Sequence, residues 1–297
     1  MIGEPITHGP VPVVHPGPRA PERRRSVPTR VTPVRTVLAP HTPIVEALSA
    51  VVEATGSTSA QVELVGGTFD RVSHCVPAAD ADAPTPISYS ETHEAEVPAQ
   101  VLTGAATVGF RDDVRFVHCH ASWLGVDGRL RAGHLWPESV TGAVPIAVVI
   151  HPLAGVDMIS STDPETLMPT FAPVPSGGSA PVAGTRAVIT RVLPGEDLGN
   201  AVEAVCAEHG FGAADVRASL GSLVGAVLGG QPDTRFVDCP CTEIISLTGV
   251  VDAGGTARLS GVVVDPDGNV HAGELVAGAN IVAVTFELLV VERSEDR

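Results

Sequence analysis

One stretch of this chain occurs twice, and that constrains the fold more than any other feature. Residues 116–135 read FVHCHASWLGVDGRLRAGHL and residues 256–275 read TARLSGVVVDPDGNVHAGEL; an offset of 140 aligns them without a gap. Asp127-Gly128 falls on Asp267-Gly268, and Ala132-Gly133 on Ala272-Gly273. Two copies of one unit predict two lobes of one architecture. The copies differ where chemistry would reside: His118, His120 and His134 align with Arg258, Ser260 and Glu274. A scaffold that carries three histidines in one copy only directs the search for function to one lobe.

The rest of the chain divides around this repeat. Residues 1–35 hold eight prolines and no periodicity, which predicts a mobile arm or an extended strap. PSGGSAPVAG at 175–184 reads as a linker, leaving lobes at 36–174 and 185–297. Each lobe opens with a β-branched strand (34–39, 185–193) and a helix. In the first, Thr42-Pro43 is expected to supply the N-cap and first helical position, Ile44, Leu48, Val51 and Val52 the apolar stripe, and Gly56 the stop. In the second, Glu196-Asp197 start a helix with Leu198, Val202, Val205 and Cys206 inward and Gly210 as its end. Strands follow at 59–65, 98–104, 114–124, 129–135 and 144–151. Their counterparts are 214–220, 243–251, 256–264, 269–275 and 280–292. Gly66-Gly67 and Gly229-Gly230 are read as turns, and 76–97 as an acidic excursion of weak structure. The expected class is α+β: two tandem lobes, each a largely antiparallel sheet packed on one main helix.

Charge narrows the partners. The net charge is −16, while residues 1–35 carry six arginines against Glu4 and Glu22. An acidic body repels phosphate backbones, so only the arm could favour nucleic acid. Cys75, Cys119, Cys206, Cys239 and Cys241 form no disulfide framework, and reduced thiols in a cytoplasmic protein are expected. Neither a signal peptide nor a membrane helix is expected.

Several strings together resemble the plant-and-prokaryote conserved (PPC) domain family. They are His118-Cys119-His120, Asp127-Gly128 and Ala132-Gly133-His134-Leu135; Arg191 followed by Pro194-Gly195-Glu196-Asp197-Leu198; Glu243-Ile244-Ile245-Ser246-Leu247-Thr248-Gly249; and Asp163-Pro164-Glu165-Thr166. The likeness covers nearly all of 36–292 as a tandem pair. It implies an α+β lobe that assembles in threes with a cleft between neighbours. Counting two lobes per chain, the smallest closed assembly is a homotrimer of six lobes. The departures are complementary: lobe one has Pro98 and Ala147 where lobe two has Glu243 and Glu287, and lobe two has lost the histidines.

The residues allow a definite chemistry. His118 and His120 share a strand face. A three-residue loop, Val126-Asp127-Gly128, would pair position 120 with 134 and bring in the third imidazole, whereas a two-residue loop would send it to the other face. Three converging imidazoles match the ligand set of an open zinc site; a metal-free polar pocket and purely structural histidines remain alternatives. Cys119 should point into the core. Arg258 is expected to face the cleft as a carboxylate-binding residue or to pair with Glu274. Glu243 and Glu287, set among apolar residues, are candidates for general acid or base or for partners of an arginine.

The expected function is a cleft for a small organic acid. It would be lined by His118, His120 and His134, perform lyase, isomerase or hydrolase chemistry, and be completed from lobe two. The alternative is a DNA-binding or regulatory protein, the usual label of the family. Against it, Arg23-Arg24-Arg25-Ser26-Val27-Pro28 lacks the central glycine of the Arg-Gly-Arg-Pro hook found in plant relatives.

Overall fold

A computed structural model describes residues 10–80, 83–177, 183–229 and 234–293. Residues 178–182 of the expected linker, the first nine residues of the arm and Gly230 lie outside the described residues. The duplication is plain in the strand order. In lobe one the sheet runs Val34–Val37, Ala147–Pro152, Ala60–Val65, Ala99–Arg111, Val114–Leu124, Leu130–Leu135 and Thr68–Cys75. In lobe two it runs Thr185–Val192, Val282–Glu292, Ala214–Leu223, Thr242–Val251, Ala257–Val264, Val270–Leu275 and Ala226–Leu228. These seven-strand paths correspond one to one, every pairing along them antiparallel.

One helix covers each sheet. Ile44–Glu53 buries Ile44, Leu48 and Val52 against Val62, Val108, Val117 and Cys119. Leu198–His209 buries Leu198, Val202 and Val205 against Val216, Leu247, Leu259 and Phe286. Their starts differ. Asp197 caps the second helix, Oδ1 accepting from the Asn200 N–H at 2.9 Å, and Gly210 ends it at φ 67°. The first helix departs from expectation: Pro43 is the N-cap residue and Ile44 the first helical one. Thr42 does not cap, because its hydroxyl donates to the Pro40 carbonyl at 2.9 Å. The Ile44 N–H instead donates to the Ser139 carbonyl at 2.8 Å, so an adjacent segment does the capping.

Part of the proline-rich arm is a strand. Arg24–Val31 runs antiparallel to Thr185–Val192 at the edge of lobe two, where Pro28 is tolerated. Arg23 binds Glu165 at 2.7 Å and also donates to the Pro194 carbonyl, while Arg24 reaches Glu208 at 2.5 Å. The excursion at 76–97 contains short strands: Pro77–Ala79 pairs with Ile87–Tyr89, and His93–Ala95 adds to Thr68–Cys75. A hairpin that periodicity did not reveal, Val156–Thr162 with Pro169–Pro175, packs Val156, Met158 and Phe171 against Ile189 and Leu289 of lobe two. Beside it, Arg191 of lobe two meets Asp163 of lobe one at 2.8 Å, both only 2% exposed. No helix among the described residues is long and apolar enough to cross a membrane.

Candidate metal centre

Three short-range rules bring the histidines together. Positions 118 and 120 alternate to one face of Val114–Leu124. The turn after that strand is tight: the Gly128 N–H donates to the Gly125 carbonyl at 2.9 Å, with Gly128 at φ 73°. Leu124 therefore pairs with Leu130, and His120 falls directly opposite His134. The result is a cluster in which one ring nitrogen from each of the three lies within 4.8 Å of the others. His118 Nε2 is 3.0 Å from His120 Nε2, which is 3.3 Å from His134 Nδ1.

Lobe two fixes the orientation of two of these rings. The outer nitrogen of His118, Nδ1, donates to Glu287 Oε2 at 2.6 Å, and that of His120 donates to the Ile244 carbonyl at 2.7 Å. With both outer nitrogens donating, each ring, when neutral, turns a lone pair inward. Two such lone pairs at 3.0 Å repel unless a proton or a metal ion lies between them. Ring nitrogens committed outward to a carboxylate and a carbonyl are the usual support of histidine ligands.

Electrostatics divides the group. Burial disfavours a charged His118, but the charge and hydrogen bond of Glu287 outweigh it and raise the pKa. His120 and His134 are lowered well below the ordinary value by burial and by the neighbouring imidazoles, so both stay neutral and able to ligate. Glu243 Oε1 lies 3.7 Å from His120 Nε2. Burial pushes the Glu243 carboxyl up to about 8, with His118 opposing. Glu243 Oε2 and Glu287 Oε1 are buried without a hydrogen-bond partner.

A cavity of about 190 Å³ opens over the triad. Ile87, Tyr89, Trp136, Phe116, Met168 and Phe171 form much of its wall, and Glu243, Glu287, Ser222 and Thr285 of lobe two contribute the polar part. Tyr89 lies 4.9 Å from His134, centroid to centroid. Sequence reasoning missed Tyr89, Trp136 and Arg111, which also lines the cavity.

Arg258 is not brought to the cleft. It is exposed and lines a separate groove with Arg217, Thr248, Ser260 and Glu274. The lobes do not meet through equivalent faces: the histidine face of lobe one meets the glutamate face of lobe two, so the histidine-equivalent face of lobe two points elsewhere. Arg258 also forms no ion pair with Glu274; the residue opposite Glu274 is Ser260. Cys119 is buried in the core of lobe one, while Pro98 and Ala147 are exposed and outside the cavity lining; the strand registers put Gln100, opposite Leu124, rather than Pro98 at the position of Glu243, opposite Val264.

The fold and site define a two-lobed α+β protein with a histidine cluster held between its lobes. Residues 25–154 and 180–294 both match the Plants and Prokaryotes Conserved (PCC) domain, and the chain belongs to that family as a tandem pair. Solved structures resemble about half of the chain. A metal-containing protein from Archaeoglobus fulgidus is 22% identical, covering 48% of this chain and 96% of its own, with a TM-score of 0.38. A plant- and prokaryote-conserved protein from Pyrococcus horikoshii is 14% identical, covering 50% and 94%, TM-score 0.37. A candidate DNA-binding protein from Bacteroides thetaiotaomicron is 14% identical, covering 48% and 96%, TM-score 0.38. No curated protein matches the chain.

Proposed function

We propose that His118, His120 and His134 hold a divalent metal ion, zinc by the nature of the donors, in an enzyme that acts on a small organic acid. One observation carries the reading: three imidazole nitrogens converge while the outer nitrogens of two are already engaged. His120 Nε2 has one lone pair and two imidazole nitrogens against it, so a shared proton satisfies only one of its two contacts. A metal satisfies all three and keeps a position open. When bound, such an ion would polarise a carbonyl or activate water.

The residues of this chain supply the rest. Glu287 holds His118 in position and balances charge. Glu243, from the opposite lobe and 3.7 Å from His120, gives or takes a proton beside the triad. The aromatic wall excludes water from that exchange. Metal-assisted hydration, isomerisation or hydrolysis of a carboxylate is the reaction class. Metal analysis of protein purified without added metal tests the reading: about one equivalent per chain is expected, and His120→Ala should lose it. Metal-free wild-type protein that also takes up no added zinc would overturn it.

Two further expectations stand as proposals. The chain closes as a homotrimer. Lobe two leaves its Arg258 face open, and lobe one leaves Val37 and Val65, each 52% exposed, around the exposed Ala147; a stable monomeric mass would sink this. DNA binding is disfavoured, since Arg23 and Arg24 are occupied by Glu165, Glu196 and Glu208. Retention on DNA at physiological salt that vanishes without residues 1–35 would reverse that judgement.

A further inference from the structure

Along one strand, three consecutive same-face positions line the cavity: His120, His118 and Phe116. Each step of two residues advances roughly 7 Å, so the row leads away from the triad along an apolar surface. Phe171 extends it, its ring centroid 5.7 Å from that of Phe116. At the end of the row stands Arg111, whose guanidinium carbon is 5.6 Å from the Phe116 ring centroid. It comes from the last position of Ala99–Arg111, four residues beyond Thr107, the partner of His118.

This arginine differs from the others near it. Arg115, on the neighbouring strand, is bound to Glu53 at 2.9 Å. Arg111 has no acidic partner among the described residues, and it is the only arginine in the cavity lining, which contains no lysine. Among the described residues its guanidinium lies over the face of Phe116, which orients it without consuming its hydrogen-bond donors. An unpaired fork of donors at the end of an aromatic slot fits a carboxylate, which it can hold through two parallel hydrogen bonds.

We propose that Arg111 determines specificity by holding a carboxylate at one end of the ligand, separated by an apolar or aromatic spacer from the group presented to the histidines. The substrate class is thus an organic acid with an apolar body, acted on at the end remote from its carboxylate. This rests on the reading of the triad as the reacting centre. It replaces Arg258 with Arg111 as the carboxylate-binding residue.

The test uses 3-phenylpropionate and the matching alcohol, 3-phenylpropan-1-ol, titrated calorimetrically into the full-length protein, once zinc-loaded and once stripped with a chelator. The wild-type protein is expected to prefer the acid in both states. Arg111→Gln should weaken the acid by about 10- to 100-fold, the usual scale for a charged hydrogen bond, and leave the alcohol unchanged. Arg111→Lys should recover part of the loss. Equal binding of the acid by wild type and Arg111→Gln overturns the proposal, as does a wild type with no preference for the acid or no binding of either probe. If acid preference survives Arg111→Gln but vanishes on stripping, the carboxylate sits at the metal; the proposal falls and the metal centre stands. If no zinc is taken up yet the Arg111 contrast persists, the metal reading falls and the anion site stands.

Discussion

Strand for strand the two lobes are the same object, yet each has kept only what one side of their contact requires. Lobe one presents His118, His120 and His134; lobe two answers with Glu243, Glu287 and the Ile244 carbonyl. On the faces not joined within the chain, the same positions carry other residues. Ala147 stands for Glu287, and Arg258, Ser260 and Glu274 stand for the histidines. The outer edges differ too. Lobe two's first strand is covered by Arg24–Val31, whereas Val34–Val37 of lobe one is exposed along its length. The lesson concerns duplication. Once two copies are tied together, one contact can specialise while its equivalents drift, and the site belongs to the contact rather than to either lobe.

The largest expected effect comes from breaking the contact itself. Arg191→Met leaves Asp163 buried without its partner, and loss of one member of a buried pair costs about 3–5 kcal/mol. The matching position in lobe one is Val37, paired with Ala147 as Arg191 is with Glu287. Val37→Ala breaks no buried ion pair and should cost no more than about 1 kcal/mol. Chemical denaturation of both variants reads the contrast, and equal losses would show that the lobes do not use this pair asymmetrically. The pair also has a pH signature. Burial alone would raise the Asp163 pKa, but Arg191 and the Thr166 and Glu165 N–H groups lower it overall. A depressed folded-state pKa means the stabilisation is complete above the unfolded value, about 3.9, and is lost as pH falls through the folded one. Wild type should therefore lose stability below about pH 4, and the double replacement Asp163→Leu/Arg191→Met should flatten that slope.

Next in size is the support of the histidines. Glu287→Gln removes the charge that holds His118 and should weaken zinc by about 10- to 100-fold, as loss of an outer-shell carboxylate typically does. Ala147→Gln, at the matching position of lobe one, should leave zinc affinity unchanged. Competition against a chromogenic chelator measures both. An unchanged affinity in Glu287→Gln would mean that this carboxylate does not support a ligand.

What the sequence revealed and what it hid follow from range. The paired strands and the two helices are local consequences of alternation and helical spacing and could be read directly; the His120–His134 register hung on whether the loop has two or three residues, which the turn ending at Gly128 decides. Arg111 could not. FRDDVRF offers two arginines flanking a turn, and only the packed lobes show that Arg115 is taken by Glu53 while Arg111 enters the cavity. Arg258 was misplaced for the complementary reason. Internal alignment transfers a position within a lobe but says nothing about which face that lobe turns to its neighbour. Thr68–Cys75 escaped because its burial does not alternate: Ser73, His74 and Cys75 are consecutive and all buried.

The smallest effect tests whether the two helices begin by the same device. Asp197 accepts from the N–H groups of Asn200 and Asn280, each at 2.9 Å, so Asp197→Ala removes a cap and a tie to the loop before the last strand. A loss of about 1–2 kcal/mol is expected, the upper part of the range for N-caps. Thr42 spends its hydroxyl on the Pro40 carbonyl and leaves the helix start to the Ser139 carbonyl. Thr42→Val should therefore change stability by no more than about 0.5 kcal/mol, although the sequence Thr42-Pro43 reads as the better start signal. Thermal melts of the two variants decide it. A Thr42→Val loss as large as that of Asp197→Ala would mean that lobe one caps its helix with Thr42 after all, and that the two starts have not diverged.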